Sequence, residues 1–259
     1  MHDLKISLIQ SELFWENQAA NLEMFSKKID SISDQTDLIL LPEMFTTGFT
    51  MHASANAEKM NGATMQWMKS IAIRKNCVVA GSIIIQDGEK FYNRLIWMRP
   101  DWFSIYDKRH LFRLAGEEEV YTAGKDRLVE KIKGWKIAPL ICYDLRFPVW
   151  SRRSDEFNYD LLIYVANWPE RRNIAWKQLL PARAIENQSY VVGLNRIGND
   201  GNDISHTGDS TLIDFSGNAI ASMNSEARVT TLTLSMQNLY DYRKQFAFYD
   251  DRDRFKIAG

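Results

Sequence analysis

The chain has 259 residues, 45% of them hydrophobic and 25% charged, with a formal net charge of -1. That balance provides a sizeable core and leaves no electrostatic footprint for nucleic acid or an anionic membrane surface. Its two cysteines, Cys77 and Cys142, do not make a disulfide framework, and no apolar run approaches a membrane span.

In chain order, Leu4, Ile6 and Leu8 alternate with polar residues and predict a strand. The opening MHDLKISLIQ lacks the apolar core of a signal peptide, so a cytoplasmic location is expected. Leu22, Phe25, Ile29 and Ile32 predict an amphipathic helix over 17–32, and 37–41 is a buried-strand run stopped by Pro42, with Glu43 next. A helix over 64–76 carries Met65, Met68, Ile71 and Ala72 on one side. Strands over 77–85 and 91–98 flank the Asp87-Gly88 hairpin signal, and a strand over 103–106 leads to Lys108.

Residues 109–125 show no clean period, and long irregular loops in compact domains tend to be functional. A hairpin around Gly134 joins 128–132 to 135–141, which ends at Cys142. Residues 160–166 read as a buried strand ending in Asn167-Trp168-Pro169, followed by a helix over 174–188 and a strand over 190–195. A polar loop is expected over 198–206, then strands over 211–213, 219–222 and 228–234, and finally a short helix with a charged, aromatic tail.

No linker or composition shift divides the chain, so one domain is expected over 1–259. Helices and strands alternate, but the hairpins require antiparallel pairing. The fold class is therefore α/β, with two mixed sheets face to face and helices outside. Residues 236–259 are too aromatic for a free end, and either pack on their own domain or contact a partner subunit.

Glu43, Lys108 and Cys142 each follow a predicted strand, and strand ends on one sheet edge are where distant catalytic groups meet. A carboxylate beside a thiol can take its proton and later activate water, while an ammonium stabilises an oxyanion. A helix N-terminus after Cys142 favours its thiolate. Each residue has a plainer reading as well: a loop cap, a surface lysine and a packed small side chain.

Around these residues, LPEMFTTGF, YDKRHLF and ICYDLRFPVW resemble, in order and spacing, the three signature blocks of the nitrilase superfamily of carbon–nitrogen hydrolases. The resemblance runs from the first strand to the C-terminal tail. It implies a four-layer α-β-β-α sandwich and a cysteine hydrolase without metal or cofactor. It further implies Glu43 as general base, Lys108 as the oxyanion-stabilising cation, Cys142 as nucleophile and the Tyr143 N–H as a second oxyanion donor. A second glutamate of the family matches Glu117 in GEEEVYTAG, counting back from Gly124, with Glu118 and Glu119 adjacent.

Within the superfamily, CYDLRFP, VANWPERR and the aromatic tail are most similar to bacterial omega-amidases. These release ammonia from the terminal amide of 2-oxoglutaramate or 2-oxosuccinamate. Val149-Trp150 stands where several other branches have glutamate after Phe-Pro. The small-molecule amide implied carries a carboxylate, for which a forked arginine is the natural partner. Arg113, Arg171 and Arg172 are the candidates, and a structural ion pair is expected for Arg146. Phe112, Tyr143 and Trp168 are candidate pocket walls; His206 is expected at the surface and Cys77 in the core. The family resemblance also implies a homodimer. The rival readings are an amidase for deaminated glutathione or N-carbamoyl substrates, a non-catalytic interaction protein on this scaffold, and a redox-sensing thiol protein.

Overall fold

The computed structural model describes residues 2–257; Met1 and residues 258–259, the last two of the tail expected over 236–259, lie outside the described residues. Two six-stranded sheets form the centre. The first runs, edge to edge, Arg228–Leu234, Leu4–Gln10, Leu38–Leu40, Val78–Asp87, Lys90–Met98 and Phe103–Asp107. The second runs Ala219–Ser222, Thr211–Ile213, Tyr190–Asn195, Leu161–Ala166, Trp135–Ile141 and Glu130–Ile132.

Alternation along the strands decides the layering. Leu4, Ile6, Leu8, Leu38 and Leu40 join Ile137 and Ile141 of the second sheet in one apolar core between the sheets. The next residues along, Ile9, Ile39 and Val79, turn to the other face and pack with Phe25, Ile29, Met65 and Met68. Those four come from the helices Gln18–Asp30 and Ala63–Lys75, whose apolar stripes cover the first sheet. The helix Asn173–Asn187 buries Trp176, Leu180 and Ala184 in the core of the second sheet. Both sheets are mixed, and the architecture is the expected α-β-β-α sandwich.

Strand direction sets the position of the site. Leu4–Gln10, Leu38–Leu40 and Val78–Asp87 pair in parallel, as do Trp135–Ile141, Leu161–Ala166 and Tyr190–Asn195. The antiparallel pairings from Val78–Asp87 to Lys90–Met98 and on to Phe103–Asp107 reverse direction twice. Phe103–Asp107 therefore ends on the same edge as Leu38–Leu40. In open α/β sheets the carboxyl ends of parallel strands are where ligands bind.

The hairpin at Gly88 closes with Asp87 opposite Lys90, and Gly88 takes the φ of +61° that such a two-residue loop requires. One expectation changes: 198–206 is not all loop. Ile197–Asn199 and Ser205–Thr207 pair as a separate two-stranded sheet, each strand being too short for a period of two to register in the sequence.

The C-terminal tail packs against its own chain. From the helix Met236–Gln245, Arg243 donates to Asp160 Oδ1 at 2.7 Å and to the Tyr159 carbonyl at 2.9 Å. Tyr242 lies 4.7 Å from the Phe215 ring, and Tyr249 takes the guanidinium of Arg153 at 3.9 Å. Among the described residues, no helix is long and apolar enough to cross a membrane.

Candidate active site

Glu43 lies three residues beyond the Leu38–Leu40 strand, with no solvent exposure. Its Oε1 accepts from Lys108 Nζ at 2.9 Å and from Asn93 Nδ2 at 2.8 Å. Its Oε2 accepts from the backbone N–H of Asn167 at 2.8 Å, and Asn167 Nδ2 donates to the Glu43 carbonyl at 2.5 Å. One carboxylate is thus gripped from both sheets. Lys108 follows the Phe103–Asp107 strand, is equally buried, and reaches Glu117 Oε1 at 3.0 Å and Oε2 at 2.9 Å. Glu117 also accepts from the Phe112 N–H at 2.6 Å. Of the three adjacent glutamates only Glu117 is buried, and the short helix Glu117–Val120 turns it inward.

Cys142 begins the 3-10 turn Cys142–Arg146 and holds φ at +44°. A side-chain-bearing residue in this left-handed region costs roughly 1–3 kcal/mol, so packing around the turn must hold it there. The sequence reading expected a helix N-terminus to favour the thiolate. Instead, burial first and the Glu43 carboxylate second push the Cys142 thiol well above its ordinary value. A five-residue 3-10 turn provides too little dipole to reverse that. At rest Cys142 is held as a neutral thiol.

Lys108 behaves oppositely. Burial alone would lower it, but Glu117 and Glu43, with Cys142, more than reverse this and hold it as an ammonium. Burial raises Glu117, opposed by Lys108 and reinforced by Glu43. One cation therefore screens two buried carboxylates from each other.

Above this cluster opens a cavity of about 340 Å³ onto which Glu43, Lys108 and Cys142 all face. Phe112, Tyr143 and Trp168 form walls, as expected, and Arg146, Arg171 and Arg172 line it too. Among the described residues, no group of three or more His, Cys, Asp or Glu side chains is arranged to hold a metal ion.

The carbon-nitrogen hydrolase family model matches residues 5–244. The chain belongs to the carbon–nitrogen hydrolase family. It is 44% identical over 259 residues to omega-amidase YafV of Escherichia coli, covering 99% of this chain and 100% of that one. The 2-oxoglutaramate amidase of Bacillus subtilis is 30% identical over 250 residues, covering 95% and 96% of the two chains. A solved CN-hydrolase superfamily protein of Xanthomonas campestris, with an arsenic adduct in its active site, superposes with a TM-score of 0.97 at 42% identity over 100% of both chains.

In this carbon–nitrogen hydrolase the candidate arginines separate. The Arg113 side chain is 87% exposed, 4.0 Å from Glu118, and does not line the cavity. The Arg172 guanidinium lies 4.7 Å over the Phe112 ring. Arg146, for which a structural ion pair was expected, faces the cavity with its guanidinium 5.1 Å over the Trp168 ring. Arg172 is lowered by burial, then by Arg171, with Arg146 adding to the repulsion. Three cations thus crowd one wall.

Two asparagines escaped the sequence reading. Asn93 sits mid-strand, where its carbonyl also accepts the Lys108 N–H at 3.0 Å, and Asn167 ends the Leu161–Ala166 strand. A strand-end asparagine beside Trp168 was a readable signal; a mid-strand Asn93 between Tyr92 and Arg94 gave none.

His206 is not a surface residue: it is buried, lines the cavity, and its Nδ1 lies 3.3 Å from the Gly198 carbonyl. Burial, reinforced by Arg196, lowers it from 6.5 to about 4. A folded-state value below the unfolded one makes the neutral ring a source of stability present above pH 6.5 and lost as pH falls toward 4. At 1.36 kcal/mol per pH unit, this is roughly 3 kcal/mol. Urea melts at pH 7.5 and 4.5 are expected to show the wild type losing roughly 2.5 kcal/mol more than His206→Gln. Parallel losses would refute the assignment.

Proposed function

We propose that this carbon–nitrogen hydrolase is an omega-amidase, releasing ammonia from the terminal amide of 2-oxoglutaramate or 2-oxosuccinamate. The observation that carries the reading is the wall of Arg146, Arg171 and Arg172 in the cavity that holds Cys142, Lys108 and Glu43. Arg172, lowered by burial and by its arginine neighbours, is relieved by an anion, so a substrate carboxylate belongs there. The names of the Escherichia coli and Bacillus subtilis relatives support the same substrate class.

In this mechanism the Cys142 sulfur attacks the amide carbonyl as Glu43 takes the thiol proton. Lys108 and the Tyr143 N–H stabilise the tetrahedral oxyanion, and Glu117 and Asn93 hold Lys108 and Glu43 in place. When the C–N bond breaks, the proton on Glu43 leaves with ammonia and a thioester remains on Cys142. Glu43 then deprotonates a water that hydrolyses the thioester, restoring the thiol and giving the 2-oxo diacid. No cofactor enters these steps.

The test is ammonia release from 2-oxoglutaramate beside glutamine, deaminated glutathione and an N-carbamoyl amine. Preference for 2-oxoglutaramate is expected, and preference for any other amide would overturn the substrate. Arg172→Ala is expected to raise KM for 2-oxoglutaramate about 30-fold, the worth of a lost charge-assisted hydrogen bond of about 2 kcal/mol, with a smaller change in kcat. An unchanged KM would remove Arg172 from carboxylate binding.

The tail still exposes Tyr240 and Phe248, which supports a contact with a second copy, so a homodimer in the cytoplasm completes the proposal. Sedimentation equilibrium tests the dimer.

A further inference from the structure

Asp144 lies two residues beyond Cys142, fully buried. Its Oδ2 accepts from the Tyr106 hydroxyl at 2.7 Å and from the Ile141 N–H at 3.1 Å. Its Oδ1 accepts from the His110 N–H at 3.0 Å and from His110 Nδ1 at 2.8 Å. Four donors thus fill the acceptor sites of one ionised carboxylate. They come from two places only. Ile141 immediately precedes the cysteine, while Tyr106 and His110 stand two residues either side of Lys108.

The grip is itself braced. Trp150 Nε1 donates to the Tyr106 hydroxyl oxygen at 3.0 Å, and the His110 ring stacks on Phe147 with centroids 3.7 Å apart. Both Phe147 and Trp150 follow the cysteine turn in sequence, so every brace joins the cysteine segment to the lysine strand. The Ile141 bond also closes the turn that keeps Cys142 at its positive φ.

We infer that Asp144 is a positioning residue that fixes Cys142 against Lys108 by tying the cysteine turn to both sides of the lysine; the inference rests on the amidase reading of those two groups. A specific consequence follows from the pairing of donors. Each carboxylate oxygen takes one backbone N–H, Ile141 on Oδ2 and His110 on Oδ1. Hydroxyls rotate and imidazoles change tautomer, but a backbone N–H does neither. In Asp144→Asn, whichever way the amide is flipped, its NH2 faces one of these two N–H groups. Either the cysteine turn or the lysine loop must then move, with no change in side-chain volume.

The experiment measures kcat, KM, thermal unfolding and the rate of Cys142 alkylation by iodoacetamide in wild type, Asp144→Asn and Tyr106→Phe. Asp144→Asn is expected to lower kcat about 100-fold, the cost of misplacing reacting groups by about 1 Å, with KM little changed. Alkylation should slow in the still-folded protein. Tyr106→Phe should lower kcat less, in the same direction, and decides the matter alone if Asp144→Asn does not fold. Wild-type kcat and alkylation rates in folded variants would overturn the inference, as would a kcat loss matching only the loss of folded protein. Failure of the amidase reading looks different: the wild type itself would release no ammonia, and the alkylation rates would then decide.

Discussion

Cys142→Ala is expected to lower ammonia release from the preferred amide by at least about 10⁴-fold while leaving the thermal melt within a few degrees of wild type. The two halves have separate causes. The side chain has 8% exposure and sits at a strand end, so alanine removes one sulfur without opening a large cavity. Alanine at φ +44° carries the same backbone strain as cysteine, so the turn is neither relieved nor further stressed. The chemistry, by contrast, has no substitute nucleophile: among the described residues the other cysteine, Cys77, lies in the first sheet's outer core, where burial pushes its thiol up to about 12. Turnover within tenfold of wild type would exclude a covalent step on Cys142. Because burial and Glu43 hold the thiol well above its ordinary value, Glu43→Gln should also remove turnover at neutral pH. If Cys142 were instead a thiolate at rest, that variant would keep fast alkylation.

The parts legible in the sequence share a property: the chemistry sits on local patterns. A strand run stopped by proline places Glu43, and a run ending in cysteine places Cys142, because burial periodicity is a short-range signal. The family resemblance offered Glu117 but left Glu118 and Glu119 open; burial singles out Glu117, in a loop that the Gly124 N–H closes on the Lys108 carbonyl at 2.9 Å. Long-range decisions were not legible. Whether an arginine turns into the cavity, as Arg146 does, or out to solvent, as Arg113 does, depends on which chain lies opposite. His206 read as surface because its three-residue strand carries no alternation, and Asn93 read as strand filler because its partners lie 50 and 24 residues away. Asp144 appeared only as part of a motif, since three of its four bonds go to residues at least 34 positions distant.

Lys108→Met is expected to be the most costly of the conservative-volume changes, in stability as well as rate. Methionine fills much of the lysine stem but leaves Glu43 and Glu117, both with no exposure, facing each other without the ammonium that pairs with each at 2.9 Å. Breaking a buried pair by removing one partner typically costs about 3–5 kcal/mol, more than the net worth of the pair, because an uncompensated charge is left behind. The pH dependence identifies the cause. Burial and Glu43 already raise Glu117 with Lys108 present, and removing the lysine takes away the opposing influence. A folded-state carboxyl raised above its unfolded value contributes stability at low pH and loses it as pH rises. The stability gap between variant and wild type should therefore be smallest near pH 5 and widen toward pH 8. Loss of the proposed oxyanion cation should lower kcat by about 10²–10³-fold even where the variant is fully folded. Urea melts across that range, with ammonia release measured on the folded fraction, test both effects. A gap that stays constant with pH would mean that the two carboxylates are not held apart by Lys108.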